Sequence, residues 1–147
     1  MAWRYSFRMG VGGLLTEIPG SSDVVERGYI TYSNDAKSEV LGVPNRLIEE
    51  RGGVSREVAL AMASGALVHS LADVSVAVTG VAGPGGGTAE KPVGLVHIAA
   101  GRLGSDPIHE ACRFGDIGRT EIRLKTIAAA LALARRAMDL PSDLRAE

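Results

Sequence analysis

Apolar residues recur along this chain with two distinct periods. Arg56 to Ser70 (REVALAMASGALVHS) places Val58, Met62 and Leu67, with Ala59, Ala63 and Ala66, on one broad face at helical spacing. Ser55 just before it is an N-cap residue type, and Glu57 falls in the first turn. A longer helical pattern runs from about Arg119 to Met138, with Ile122, Ile127, Leu131, Ala134 and Met138 in one stripe and Pro141 as its stop. Shorter helices are predicted from Ser33 or Asn34 through Lys37 to Leu41, closed by Gly42, and over NRLIEE, with Pro44 as its opening residue and Gly52-Gly53 as its end.

The strand patterns are β-branched and short. Val24 to Tyr32 (VVERGYITY), Val74 to Val78, Val93 to Ala100 (VGLVHIAA) and His109 to Phe114 each read as a strand. Strands alternating with helices predict an α/β domain with helices on both faces of a sheet. Neighbours that meet across the glycine-rich loop, and again near Arg102 to Asp106, can pair antiparallel, so a mixed sheet is expected. Before Gly20 there is no strand pattern and one short helical one, VGGLLTEI, while the first eight residues follow neither period. Residues 141–147 are expected to form a loose tail.

Composition narrows the function classes. The 147 residues fit one domain with a real core, and 16 basic against 17 acidic residues leave no nucleic-acid footprint. No apolar run reaches spanning length, and the N-terminus lacks a signal peptide's apolar stretch, so a soluble cytoplasmic protein is expected, with neither membrane nor nucleic acid as partner. The single Cys112 has no intramolecular disulfide partner, and no Cys/His spacing resembles a zinc site. Six aromatic residues among abundant Ala, Val, Leu and Gly point to a small-residue core.

The chemistry concentrates in three places. Thr79 to Gly94 (TGVAGPGGGTAEKPVG) holds six glycines in sixteen residues directly after a strand, which suits either a ligand-contacting loop or a plain connection. It is neither a Walker loop nor a dinucleotide fingerprint: no Lys-Ser or Lys-Thr follows, and the spacing of Gly80, Gly83 and Gly85 does not match. Tyr32-Ser-Asn-Asp-Ala-Lys37 follows a strand pattern and opens a helix, the position where open α/β sheets carry their sites. Lys37 there is either a solvated helix residue or a desolvated base beside a phenol. Arg119 and Arg123, four apart on one face, are either an anion clamp or surface arginines paired with Asp116 or Glu121. His69, His97 and His109 share no motif and read as structural.

Together these segments resemble the CinA C-terminal domain family, the nicotinamide mononucleotide amidohydrolases called PncC when they stand alone. The matching residues are PGSS (Pro19 to Ser22), YSNDAKSEVLGVP (Tyr32 to Pro44), GVSREVA (Gly53 to Ala59), MASGA (Met62 to Ala66), the whole glycine stretch, and FGD (Phe114 to Asp116) with Arg119, Ile122 and Arg123. The similarity spans roughly Leu15 to Met138. It implies a three-layer α/β/α sandwich with a mixed sheet, assembled as a homo-oligomer, commonly a dimer. It also implies hydrolysis of nicotinamide mononucleotide to nicotinic acid mononucleotide and ammonia in pyridine-nucleotide salvage, by a serine–lysine mechanism with no metal and no cofactor. Under that resemblance Lys37 is the base and Tyr32 orients it or relays a proton. Thr79, Gly80 and Gly83 line the substrate pocket, with Thr79 and Gly80 at the reacting end, and Arg119 binds the ribose phosphate.

The chain departs from the family pattern at its beginning. The family's nucleophile lies in a Glu-Ser-Cys-Thr-Gly-Gly segment after an opening helix and strand, and this sequence contains no such segment. Counting back from Pro19-Gly20 puts Tyr5 at the serine's place and Ser6 one position later, whereas matching Gly12-Gly13 puts Met9 there. Residues 1–13 are atypical, as a shifted start site, a frameshift or degeneration would leave them, and Ser6 is the one candidate for a displaced nucleophile. The alternative expectation is an inactive paralogue or fragment that binds pyridine nucleotide or an intact homologue without turnover.

Overall fold

The structure, a computed structural model, describes residues 7–142. Five helices surround one sheet: α1 (Phe7–Thr16), α2 (Asn34–Leu41), α3 (Asn45–Arg51), α4 (Arg56–Val68), β1 (Val74–Gly80), β2 (Leu95–Arg102), β3 (Ile108–Arg113) and α5 (Arg119–Met138), with a single 3-10 turn at Ser21–Asp23. Ser33 and Ser55 are the N-caps of α2 and α4, accepting from the amides of Ala36 and Val58. Pro44 takes the N-cap position of α3 rather than its first helical residue. No helix among the described residues is long and apolar enough to cross a membrane.

The sheet has order β1-β2-β3 and is antiparallel throughout, with Thr79 opposite His97 and Ala99 opposite both Ala77 and His109. The α/β class and the helices on both faces follow the sequence pattern; the mixed sheet does not. Its expected fourth strand, Val24 to Tyr32, carries no ladder. Within that segment Arg27 Nη1 and the Tyr29 hydroxyl donate instead to the carbonyl of His69, so side chains fasten it to the end of α4.

Side-chain alternation divides the core in two. Val78, Val96, Ile98 and Ala100 pack with Ile122, Ala130, Leu133 and Ala137 of α5 and with Val11 of α1. Ala77 and Ala99, on the other face, pack under Val58, Ala59, Met62 and Ala63 of α4 and beside Leu41, Val43 and Ile48. Strand β2 is covered on both sides, which is why VGLVHIAA reads as a continuous apolar run rather than an alternating one. Each fully buried Ile or Met here contributes about 1.5–3 kcal/mol of transfer free energy. The buried face of α5 is Ile122, Thr126, Ala130, Leu133 and Ala137, rotated from the predicted stripe, and Met138 is exposed. Thr126 tolerates that interior position because its hydroxyl donates to the Ile122 carbonyl at 2.7 Å.

Candidate functional site

Lys37 lies on the inner side of α2 and is only 5% exposed. A lysine is rarely buried unless its ammonium group finds partners, and Nζ donates to Asn34 Oδ1 at 2.9 Å, one helical turn earlier on the same face. Both side chains lie against the backbone of Gly53. A Cβ added there would collide with Asn34 Oδ1 and sit 3.1 Å from Lys37 Nζ, so any larger residue would push these two side chains from their present places. Thr79, buried at the end of β1, holds the same glycine from the other side: its hydroxyl donates to the Gly53 carbonyl at 2.6 Å. Lys37, Asn34, Gly53 and Thr79 therefore form one cluster, reached from α2, from the turn before α4, and from the sheet.

The remaining predicted site residues lie outside this cluster. Tyr32 is 70% exposed, with its side chain directed to solvent rather than packed on Lys37. Gly80 ends β1 where a Cβ would lie 2.8 Å from Val96 Cγ2 and 2.9 Å from the Leu95 carbonyl, so its glycine is required by the close approach of β2. Gly83 has φ +72° and precedes a cis peptide to Pro84. Arg119, in the first turn of α5, donates from Nη1 to the Gly83 carbonyl at 2.9 Å, tying the glycine loop to the helix. Tyr5 and Ser6 lie outside the described residues, and Met9 lies within α1.

Two features escape the sequence reading. Asn34 is a direct partner of Lys37; its signal was the i, i+3 spacing within the YSNDAK block. His97 and His109, which share no motif, meet across the β2–β3 hairpin with Nδ1 of one 3.0 Å from Nε2 of the other. Only the strand register could have revealed that pair. Both imidazoles are held below their ordinary value, first by burial; the neighbouring His109 lowers His97 further, and Arg56 does the same to His109. Glu57 is also held low, first by its own main-chain N–H at the start of α4 and further by Arg51, Arg56 and His97. A shallow depression lined by Gly104, Ser105, Asp106, Leu140 and Pro141 lies at the other end of the sheet and collects a single carboxylate.

Fold and site together define an α/β/α domain whose buried lysine is walled by a glycine turn and a threonine at a strand's end. The chain belongs to the CinA C-terminal domain family, whose model matches residues 10–138. It is 52% identical over 128 residues to a CinA-like protein of Synechococcus sp., covering 86% of this chain and 30% of that protein. It superimposes with a TM-score of 0.89 on the competence/damage inducible protein CihA from Agrobacterium tumefaciens, at 53% identity, over 90% of this chain and 81% of that one. The competence damage-inducible protein A (ComA) of Klebsiella pneumoniae follows with a TM-score of 0.84 at 26% identity, over 92% and 83% of the two chains. The chain spans about a third of the length of the curated relatives it matches.

Proposed function

We propose that this chain carries the pocket of a nicotinamide-nucleotide amidohydrolase, which converts nicotinamide mononucleotide and water to nicotinic acid mononucleotide and ammonia. The observation that supports this reading is the burial of Lys37 against Asn34 and the Gly53 backbone. A lysine in such a place, when it holds a lone pair, can take the proton of an attacking hydroxyl. The hydroxyl oxygen then bonds to the carboxamide carbon, Lys37 returns the proton to the amide nitrogen so that the C–N bond breaks and ammonia leaves, and water then cleaves the acyl ester to give the carboxylate and restore the hydroxyl. Thr79 acts in this scheme through Gly53, by fixing the wall beside the lysine. Arg119 and Gly83 fix the glycine loop, and the arginine's remaining N–H groups are available to the ribose phosphate. Tyr32, two residues before α2 and exposed, takes the orienting or proton-relay part of the same proposal only when its ring turns from solvent toward Lys37. No metal or cofactor enters it, and the setting is cytoplasmic.

A second reading rests on one specific observation, the absence of a Glu-Ser-Cys-Thr-Gly-Gly segment from the sequence. In that reading the pocket binds a pyridine nucleotide, or the chain pairs with an intact homologue, without turnover. Ammonia release from nicotinamide mononucleotide by the 147-residue protein separates the two. Turnover abolished by Lys37→Met and by Ser6→Ala supports the enzyme with a displaced nucleophile. Calorimetric binding of the mononucleotide with no ammonia supports the binding module.

A further inference from the structure

His97 and His109 project from the sheet face that α4 covers, since His97 shares its side with Ala99 and His109 stands opposite Ala99 in the register. Their ring centroids are 5.2 Å apart with 26° between the planes. The 3.0 Å N···N contact is shorter than two rings can approach face to face, so the rings meet edge to edge, nitrogen to nitrogen. One of those nitrogens must donate and the other accept, which requires at least one neutral imidazole. A single proton fits on that N···N line.

The surroundings decide how many protons the pair can hold. From α4 come Arg56 and Glu57, from β3 Glu110 and Arg113, and from the loop before β2 Lys91. Arg51 of α3 stands 3.9 Å from Glu57 and shares its charge. Around His97 the cations Lys91 and Arg113 outnumber the single carboxylate Glu57, whereas His109 faces Arg56 with Glu57 and Glu110. A first proton can be shared along the N···N line and balanced by Glu57. A second would put N–H against N–H, break the bond and add a positive charge among Arg56, Lys91 and Arg113.

We propose that His97 and His109 form a proton-operated latch across the β2–β3 hairpin, closed while the pair holds at most one extra proton and opened by the second. The latch sits beside the lysine cluster, because His97 is the cross-strand neighbour of Thr79. An effect of opening on the pocket rests on the amidohydrolase reading; the latch itself does not. The linkage has a definite sign. Both imidazoles are depressed in the folded state from 6.5, so the unfolded chain binds protons more readily. The latch's stabilisation is complete above about pH 6.5 and is lost as pH falls through the folded-state values.

The test is a side-chain NMR titration of the full chain with labelled histidine, from about pH 8 to about pH 4.5. The expected result is coupled titration of His97 and His109, each ring reporting the other's step. In His109→Gln, whose amide can keep the hydrogen bond without titrating, His97 should titrate in one step at higher pH than in the wild type. Urea unfolding supplies a second readout: the stability lost between about pH 7.5 and about pH 5 should shrink in His109→Gln and shrink again in the His97→Asn, His109→Gln double variant. Should a variant fail to fold, the wild-type titration decides alone. Two independent single-step titrations, or equal pH slopes in all proteins, would overturn the latch.

Discussion

Thr79 and Gly53 are joined by a 2.6 Å hydrogen bond from a strand-end hydroxyl to a main-chain carbonyl, across 26 positions of sequence. The two preceding carbonyls are held in the same way. Ser55 Oγ donates to Gly52 at 3.1 Å, and Lys91 Nζ, from the glycine-rich loop, donates to Arg51 at 2.6 Å. Three successive carbonyls thus take side-chain donors from β1, the α4 cap and the glycine loop. The turn between α3 and α4 is clamped where it passes Lys37, and the rigidity of that wall is what the first two predictions probe.

Thr79→Val keeps the volume and removes the donor. It leaves the half-buried Gly53 carbonyl without its side-chain partner, at an expected cost of about 1–3 kcal/mol. Thr79→Ser, which keeps the hydroxyl, should recover most of that hydrogen bond. Urea unfolding of the three proteins measures this, and equal stabilities for wild type and Thr79→Val would mean that the bond contributes nothing net.

Gly53→Ala should disrupt the cluster from the backbone side. The new Cβ collides with Asn34 Oδ1 and crowds Lys37 Nζ at 3.1 Å, so the Asn34–Lys37 hydrogen bond must move. The expected outcome is loss of mononucleotide binding with a destabilisation of about 1–3 kcal/mol from overpacking. Gly85→Ala is the control: nothing lies within 4 Å of its Cβ and its φ is not in the left-handed region. Both binding and stability should be unchanged there, and a loss equal to that of Gly53→Ala would remove the close-approach argument.

How far the sequence carried can be judged from these same residues. The caps at Ser33 and Ser55, the helix from Arg119 to Met138 and the three strands of the sheet were legible because each follows from local spacing and capping chemistry. Val24 to Tyr32 was misread because β-branched composition signals an extended backbone, while a strand also needs a neighbour's ladder, which local composition does not report. Lys37 was legible as a site candidate by its place after a strand pattern and at a helix start, and Thr79 through the family resemblance. Their meeting at Gly53 was not, since no spacing rule links a turn to a strand 26 residues on. The same holds for His97 and His109, which only the hairpin register brings together.

Lys37→Met tests the base directly. Methionine fills a similar volume but removes the donor to Asn34 Oδ1, at an expected cost of about 0.5–3 kcal/mol. The variant should unfold cooperatively at a somewhat lower urea concentration while releasing no ammonia from nicotinamide mononucleotide. A variant that still turns over would exclude Lys37 as the base.

The last prediction concerns association. Among the described residues the sheet ends in β1 on one side and β3 on the other. The β3 edge carries His109, Glu110 and Arg113, and charged edges resist pairing. The β1 edge, VSVAVTG, carries no charge and is at least partly buried along its length. An uncharged edge strand is a template for a further strand, so self-association, the expected homo-dimer included, should proceed through β1. Light scattering after size exclusion should give a mass above the monomer's 15.3 kDa that rises with concentration. Hydrogen exchange should then show amide protection in β1 increasing over the same range while β3 stays constant. A monomer at every concentration would refute the proposal, and protection gained in β3 instead would move the contact to the other edge.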